Sequence, residues 1–176
     1  MRNLLFTYLF FLISLGCSEN KDLDEYKQYE GPAMEVENVE TLYSDSAIVR
    51  IKLQADKQLE FENGNREFPE GVYIEFYEKD GQVSSTITAN QGYYNKKEDK
   101  YTATGNVIVK SMLKNEELRT EELHWEPAKQ EINTEKYVEI ETENDIFMGN
   151  GLTAKQDFSD WRILKPTGTI TIEEQP

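Results

Sequence analysis

One cysteine near the N-terminus is placed where a lipid-attaching reaction would need it. Cys17 is the only cysteine in the chain, so it has no intramolecular disulfide partner. An apolar run from Leu4 to Leu15 follows a short positive N-terminus, and the small residues Ser14 and Gly16 flank its end. This order is typical of a lipoprotein leader, in which the cysteine sulfur receives a diacylglycerol group. The sequence therefore predicts lipidation at Cys17, and the alternative is a plain signal peptide with an incidental cysteine.

The same stretch divides the chain into three parts. The apolar run is shorter than the about 20 residues that a helix needs to span a bilayer, so we assign residues 1–16 to a signal peptide. Polar and acidic residues follow the cysteine, and residues 17–35 are predicted to be a tether between the lipid and the folded part. We expect residues 36–176 to form one domain.

The side chains that most enzymes use are scarce or scattered in this sequence. His124 is the only histidine, so neither a histidine-based metal cluster nor a Ser-His-Asp triad is readily built. The carboxylates are spread along the chain, and no calcium-binding loop of the Asp-x-Asp-x-Asp-Gly type occurs. We expect no catalysis, no metal and no cofactor, and a hydrolase is the weakest of the alternatives.

Charge excludes another class of function. The formal net charge is -15, and the lysines are scattered among glutamates and aspartates instead of forming a basic stripe. A surface of this kind repels phosphate backbones, so nucleic-acid binding is not expected. With 38% hydrophobic residues, the chain has enough apolar side chains to fold around a core.

Apolar residues recur with a period of two from Val36 onward, which predicts an all-β fold. The segments from Ala47 to Leu53 and from Val72 to Tyr77 each alternate between an apolar and a polar face. Asp80-Gly81 suits a tight turn, so Gln82–Ala89 is predicted to pair with the strand before it. No segment has a convincing amphipathic helical pattern.

An internal repeat sharpens this prediction. Residues 89–109 align without a gap on residues 120–140, at a constant offset of 31 residues. The offset places Tyr94 on Trp125 and Tyr101 on Ile132, so each unit is a strand ending in an aromatic residue, a polar turn and a returning strand. A third, degenerate copy begins near Leu152. The alternative is an ordinary β-sandwich whose hairpins share only their turn chemistry.

Stacked hairpins of this kind predict an elongated, twisted antiparallel β-sandwich. A sandwich with a row of apolar residues inside can open into an apolar groove and bind acyl chains by burying them, although plain core packing is the alternative for each single residue. The inward-facing residues predicted to line it are Val49, Ile51, Leu53, Ile74, Phe76, Ile87, Tyr101, Val107, Val109, Ile132, Val138 and Ile140.

Several segments, in their order and spacing, resemble the LptC family, the periplasmic subunit of the lipopolysaccharide-export system. They are Leu42 to Ala47, Phe68 to Tyr77, Tyr101 to Val109, Leu118 to Trp125 and Gly149 to Ala154. The resemblance covers about residues 36 to 172. It implies a twisted jellyroll that receives lipopolysaccharide from an inner-membrane ABC transporter and passes it to a periplasmic bridge protein of the same fold.

The N-terminus departs from the family pattern. Many members begin with a transmembrane helix, whereas this chain has the short leader that ends at Cys17. The resemblance therefore implies a periplasmic protein held at a membrane, most simply the inner one, through an N-terminal lipid. The alternative function is a structural or adhesive envelope lipoprotein whose β-sandwich binds no lipid.

The C-terminal segment Thr167–Glu173 alternates threonine with isoleucine and is predicted to be an edge strand. The resemblance implies that the bridge protein docks on this edge, by adding a strand beside Thr169 and Thr171. The N-terminal strands are implied to meet the transporter.

Overall fold

The computed structural model describes residues 29–168, and most of them lie in strands. The prediction of an all-β antiparallel fold is confirmed. Among the described residues no helix has the length and apolar character needed to cross a membrane. A short 3₁₀ turn covers Pro127–Lys129. The strands are β1 Met34–Asp45, β2 Ile48–Glu60, β3 Arg66–Phe68, β4 Val72–Tyr77, β5 Val83–Ala89, β6 Gln91–Asn95, β7 Lys100–Ser111, β8 Glu116–Glu126, β9 Glu131–Glu141, β10 Ile146–Lys155 and β11 Trp161–Thr167.

These strands form a single antiparallel sheet in which most strands pair with their neighbours along the chain, and β3 also pairs with β6. β3 and β4 both pair with β2, and so lie end to end along it. β5 and β6 both pair with β7 in the same way, separated by Asn90. The order therefore runs as a meander from β1 to β11, with β1 paired only to β2 and β11 paired only to β10 among the described strands. Local turns make every connection.

The long strands are interrupted by irregularities that bend them. In β7 the pairing with β8 slips between Thr104 and Val107, where Gly105 and Asn106 have φ angles of +75° and +47°. The pairing of β9 with β10 slips in the same way beside Gly151, whose φ is +79°. Bulges of this kind bend a strand and increase its twist. Because they recur from strand to strand, they bend the sheet as a whole.

Contacts between distant strands show that the bent sheet closes on itself. Phe76 in β4 and Trp125 in β8 have ring centroids 5.3 Å apart. Three strand spacings of about 4.8 Å separate these strands along the sheet, so a flat sheet keeps such rings apart. The Tyr43 and Tyr101 hydroxyls, from β1 and β7, are 2.7 Å apart. Each long strand thus contributes its two halves to two facing layers, as in a jellyroll.

Two predicted pairings can be compared directly with the sheet. The hairpin predicted around Asp80-Gly81 is present, with Val72 opposite Ala89 and Ile74 opposite Ile87. The repeat is present too, because Tyr94 lies opposite Tyr101 and Trp125 opposite Ile132, again 31 residues apart. The third copy departs from the spacing. The same offset predicts Gln156 opposite Ile163, but Ile163 lies opposite Leu152.

One predicted strand start was wrong. Ala47 was assigned to the apolar face of β2, but it is exposed and lies in the turn between β1 and β2. Ser46 and Ala47 have φ angles of +52° and +64°. Left-handed backbone at two successive residues makes the reversal that joins β1 to β2, so the strand begins at Ile48.

Gly149 sets how closely β11 can approach β10, and we predict that Gly149→Ala releases β11. Gly149 lies opposite Pro166, and an added Cβ would press on Ile163 Cγ2 and lie 2.5 Å from Lys165 O. Overpacking against backbone costs about 1–3 kcal/mol. Hydrogen exchange should show faster exchange across residues 161–167 while β7 to β9 stay protected.

Gly81→Ala provides the control for this prediction. At Gly81 no atom lies within 4 Å of the place that an added Cβ would take, so the change adds only the backbone strain of its φ of +86°. It should lower stability slightly and leave residues 161–167 protected. Full protection of β11 in Gly149→Ala would show that the sheet tolerates the methyl group.

Candidate functional site

The interior between the two layers contains the residues that the sequence predicted to line a groove. Ten of the twelve are buried, and they belong to one connected apolar core. Val49 and Ile51, near the start of β2, are half-buried. A gap of about 20 Å³ lies among these side chains, lined by Phe68, Ile87 and Trp125 among others. Because a gap of this size has room for about one water molecule, the side chains fill most of the interior.

Sequence reasoning missed about half of the interior, for identifiable reasons. Leu118 and Leu123 are both buried although they are five residues apart, because the pairing of β8 with β9 slips between Thr120 and His124. A strict period of two cannot place both leucines on one face. Phe158 is fully buried but lies in a polar loop with no alternating pattern. Trp125 was recognised as the repeat partner of Tyr94, which was a usable signal for an inward position.

Aromatic rings form a continuous row across the interior. Tyr94 and Tyr101 have ring centroids 4.4 Å apart, and Tyr101 stacks on Trp125 at 4.8 Å. The guanidinium of Arg66 lies 4.4 Å from the centre of the Tyr94 ring and donates a hydrogen bond to the Tyr101 hydroxyl at 3.0 Å. Tyr43 bonds to that hydroxyl from the edge strand β1. One buried phenol therefore ties β1, β3 and β7 together.

The position of Tyr101 changes its acid–base behaviour. Burial, followed by the hydrogen bond with Tyr43, raises the pKa of Tyr101 well above its usual range. The phenol therefore stays neutral through the physiological range. Its hydroxyl can keep both hydrogen bonds, and the interior gains no charge at this point.

A cleft opens where the interior meets solvent, and we call it the mouth. Its volume is about 530 Å³, and its lining includes Tyr43, Ile51 and Phe76 from the N-terminal strands. The 3₁₀ turn and residues 155–157 form the opposite wall. Acidic and basic side chains share its rim, so it is not a focused anion site. Phe76 belongs both to this lining and to the buried core, so the mouth adjoins the core.

The acidic side chains and the one histidine of the described residues form no metal-binding cluster. Between residues 29 and 168 no group of three or more His, Cys, Asp or Glu side chains is arranged to hold a metal ion. His124 is half-buried, and its Nδ1 lies 3.1 Å from Thr102 Oγ1 across the β7–β8 ladder. Burial lowers the pKa of His124, with nearby Lys100 adding to the effect. This histidine therefore makes a neutral cross-strand contact in the ladder.

Three predicted site residues lie outside the described part of the chain. They are Cys17, Thr169 and Thr171, so lipidation and the predicted C-terminal docking strand stay predictions. The described edge strand at this end is β11, which ends at Thr167, and Gly168 follows it as a bend with a φ of +130°.

The raised pKa of Tyr101 predicts how stability depends on alkaline pH. The unfolded chain releases phenolic protons near pH 10, whereas folded Tyr101 holds its proton. Stability from this group is therefore fully present below about pH 10 and is lost as the pH rises further. Denaturant titrations from pH 8 to 11.5 should show a shallower alkaline decline in Tyr101→Phe than in the wild type. Tyr137→Phe, at an exposed tyrosine, is the control, and equal slopes for wild type and Tyr101→Phe would refute the assignment.

The family comparison agrees with this architecture. The family model described as "Lipopolysaccharide-assembly, LptC-related" matches residues 4–170, which is nearly the whole chain. A search of curated proteins gave no match. The sheet folded into two layers, the apolar interior and this match lead to one conclusion. The chain belongs to the LptC-related family, whose members are envelope components of lipopolysaccharide transport.

Proposed function

We propose that this domain carries lipopolysaccharide by holding its acyl chains between the two layers of the folded sheet. The observation that supports the proposal is the apolar interior that meets solvent at the mouth, with Phe76 both buried in the core and in the wall of the mouth. Acyl chains are the part of lipopolysaccharide that such an interior suits.

The energetics favour an exchange of contacts. Side chains that fill the interior lose their partners when the layers separate, and each buried CH₂ of an entering chain restores about 0.8 kcal/mol. Only a few polar contacts cross between the layers, among them the Tyr43–Tyr101 pair and the bond from Ser85 Oγ to Gln156 O. Opening therefore replaces one apolar contact by another, and breaks few hydrogen bonds.

Charge plays a secondary part in this proposal. The net charge of -15 opposes binding of a lipid that itself carries phosphates. Affinity must then come from the acyl chains, and salt should screen a repulsion instead of an attraction. A negative surface also limits contacts of lipid phosphates with the outer faces of the sheet.

The proposed pathway follows the family. The domain would receive lipid from an inner-membrane ABC transporter and pass it to a periplasmic bridge protein of the same fold. β1 and β11 each have one unpaired side within the described residues, so both ends can accept an added strand. On this proposal the lipid on Cys17 holds the domain at the inner membrane, and Thr169 and Thr171 continue the edge that meets the bridge protein.

The filled interior also suits a second candidate function. A structural or adhesive envelope lipoprotein needs a well-packed sandwich and no lipid cargo, and the small gap of about 20 Å³ among the core side chains agrees with that description. The two functions differ in whether lipid ever contacts the inner faces, which is a measurable property.

Photo-crosslinking in living cells separates these two functions. A photoreactive phenylalanine at Phe76 replaces one buried aromatic ring by another, and it should form adducts with lipopolysaccharide. The same residue at Tyr73, on the opposite face of β4 and outside the lining of the mouth, is the matched control and should form few. Adducts from Tyr73 equal to those from Phe76, or none from Phe76, would favour the structural function.

A separate experiment tests the anchor. Cys17→Ala removes the sulfur that would carry diacylglycerol, so metabolic labelling with a radioactive fatty acid should mark the wild type and not the variant. Cys17→Ser is the closest control in size and should also lose the label. A wild-type protein that takes up no label would support a plain signal peptide.

A further inference from the structure

The loop between β10 and β11 places an aromatic side chain in the core. This loop, residues 156–160, carries Phe158, which is fully buried. Every other buried apolar residue among residues 29–168 lies in a strand. Phe158 therefore fills interior space without belonging to the hydrogen-bonded ladder.

The backbone at Phe158 is strained. Its φ is +54°, in the left-handed region that a bulky side chain rarely adopts. Local bonds hold this conformation: Phe158 N donates to Lys155 O at 2.9 Å, and Asp157 Oδ1 accepts from Ser159 N at 2.9 Å. Such strain persists where surrounding contacts enforce it, and it lowers the cost of leaving that position.

The loop presents two carbonyl oxygens to donors on other strands. The buried Ser85 hydroxyl of β5 donates to the main-chain oxygen of Gln156 at 2.8 Å. Trp125 Nε1 of β8 donates to the side-chain oxygen of the same glutamine at 3.0 Å. Both donors need an acceptor, because an unsatisfied buried N–H or O–H costs free energy. Any ligand that displaces the loop must supply acceptors in their place.

In the third repeat unit the aromatic ring comes from a loop, whereas its counterparts in the first two units lie in strands. Position 156 is the equivalent of Tyr94 and Trp125, whose strands pair regularly at that point. In the third unit the chain leaves the strand after Lys155, and the ring enters from the loop instead. Gln156 and Asp157 also line the mouth, so the loop stands between solvent and the interior.

We propose that the space filled by the Phe158 ring is a subsite for an acyl chain attached through an ester or amide carbonyl, and that loop 156–160 leaves it when lipid enters. The loop offers what such a chain offers, which is one apolar group next to carbonyl acceptors. This inference rests on the proposed function, because it names where one acyl chain of the cargo lies.

Hydrogen exchange and affinity measurements on the full chain test the subsite. With the protein in nanodiscs, addition of purified lipopolysaccharide should speed exchange at residues 156–160 several-fold, while empty nanodiscs leave it unchanged. Phe158→Ala removes the competing ring and should tighten binding of fluorescently labelled lipopolysaccharide by roughly tenfold or more. Phe158→Leu should lie between the two.

Phe68→Ala is the matched control, because Phe68 is an equally buried phenylalanine that lies in strand β3. It creates a comparable cavity without freeing the loop, and should not tighten binding. If Phe158→Ala does not fold, the exchange measurement on the wild type decides alone.

The outcomes separate this inference from the function on which it rests. Wild-type protein that binds lipopolysaccharide with loop 156–160 still protected, and with no gain in Phe158→Ala, would overturn the subsite and leave the carrier function standing. Absence of binding by the wild type and by every variant would overturn both.

Discussion

The bends that run across the sheet are the constraint on which the rest of the structure depends. A meander of eleven strands leaves one whole face apolar, and that face must be covered. Irregular pairing at Gly105–Asn106 and at Gly151 lets the strands bend, so that the sheet covers its own face. Without these bends, Phe76 does not reach Trp125 and the Tyr101 hydroxyl does not reach Tyr43. The interior, the mouth and the loop that carries Phe158 all follow from the closure.

A sheet that closes on itself suits a carrier better than a fixed cavity does. The two layers are joined by continuous strands along the bends, whereas elsewhere they meet mainly through apolar contacts and a few hydrogen bonds such as those of Ser85 and Tyr43. Apolar contact is not directional, so acyl chains can take the place of side chains at little net cost. Free edges at β1 and β11 leave room for partners to extend the sheet. On the proposed function, cargo binding and partner docking use different parts of one sheet.

Much of the fold could be predicted from the sequence, because a period of two reports directly on a half-buried strand. The hairpin at Asp80-Gly81 and the repeat of 31 residues were both readable, since turn residues and aromatic positions recur at fixed spacing. The change of inward-facing positions along β8 could not be predicted from the sequence. A bulge causes it, and a bulge shifts the inward face without a characteristic residue composition. Ala47 was misplaced because its apolar character continued the pattern into a turn. Phe158 was missed because its burial depends on bonds between its loop and residues far away in the chain, Ser85 and Trp125.

The central claim is that lipopolysaccharide lies between the two layers, and a distance between them tests it most directly. Spin labels at Lys110 on β7 and Arg162 on β11 occupy exposed positions on opposite layers, and a Cys17→Ser background prevents labelling elsewhere. Pulsed electron double resonance should give a distance that lengthens by several ångströms when lipopolysaccharide is added. A distance distribution that stays unchanged while lipopolysaccharide is demonstrably bound would contradict the account, because the lipid would then lie outside the folded sheet.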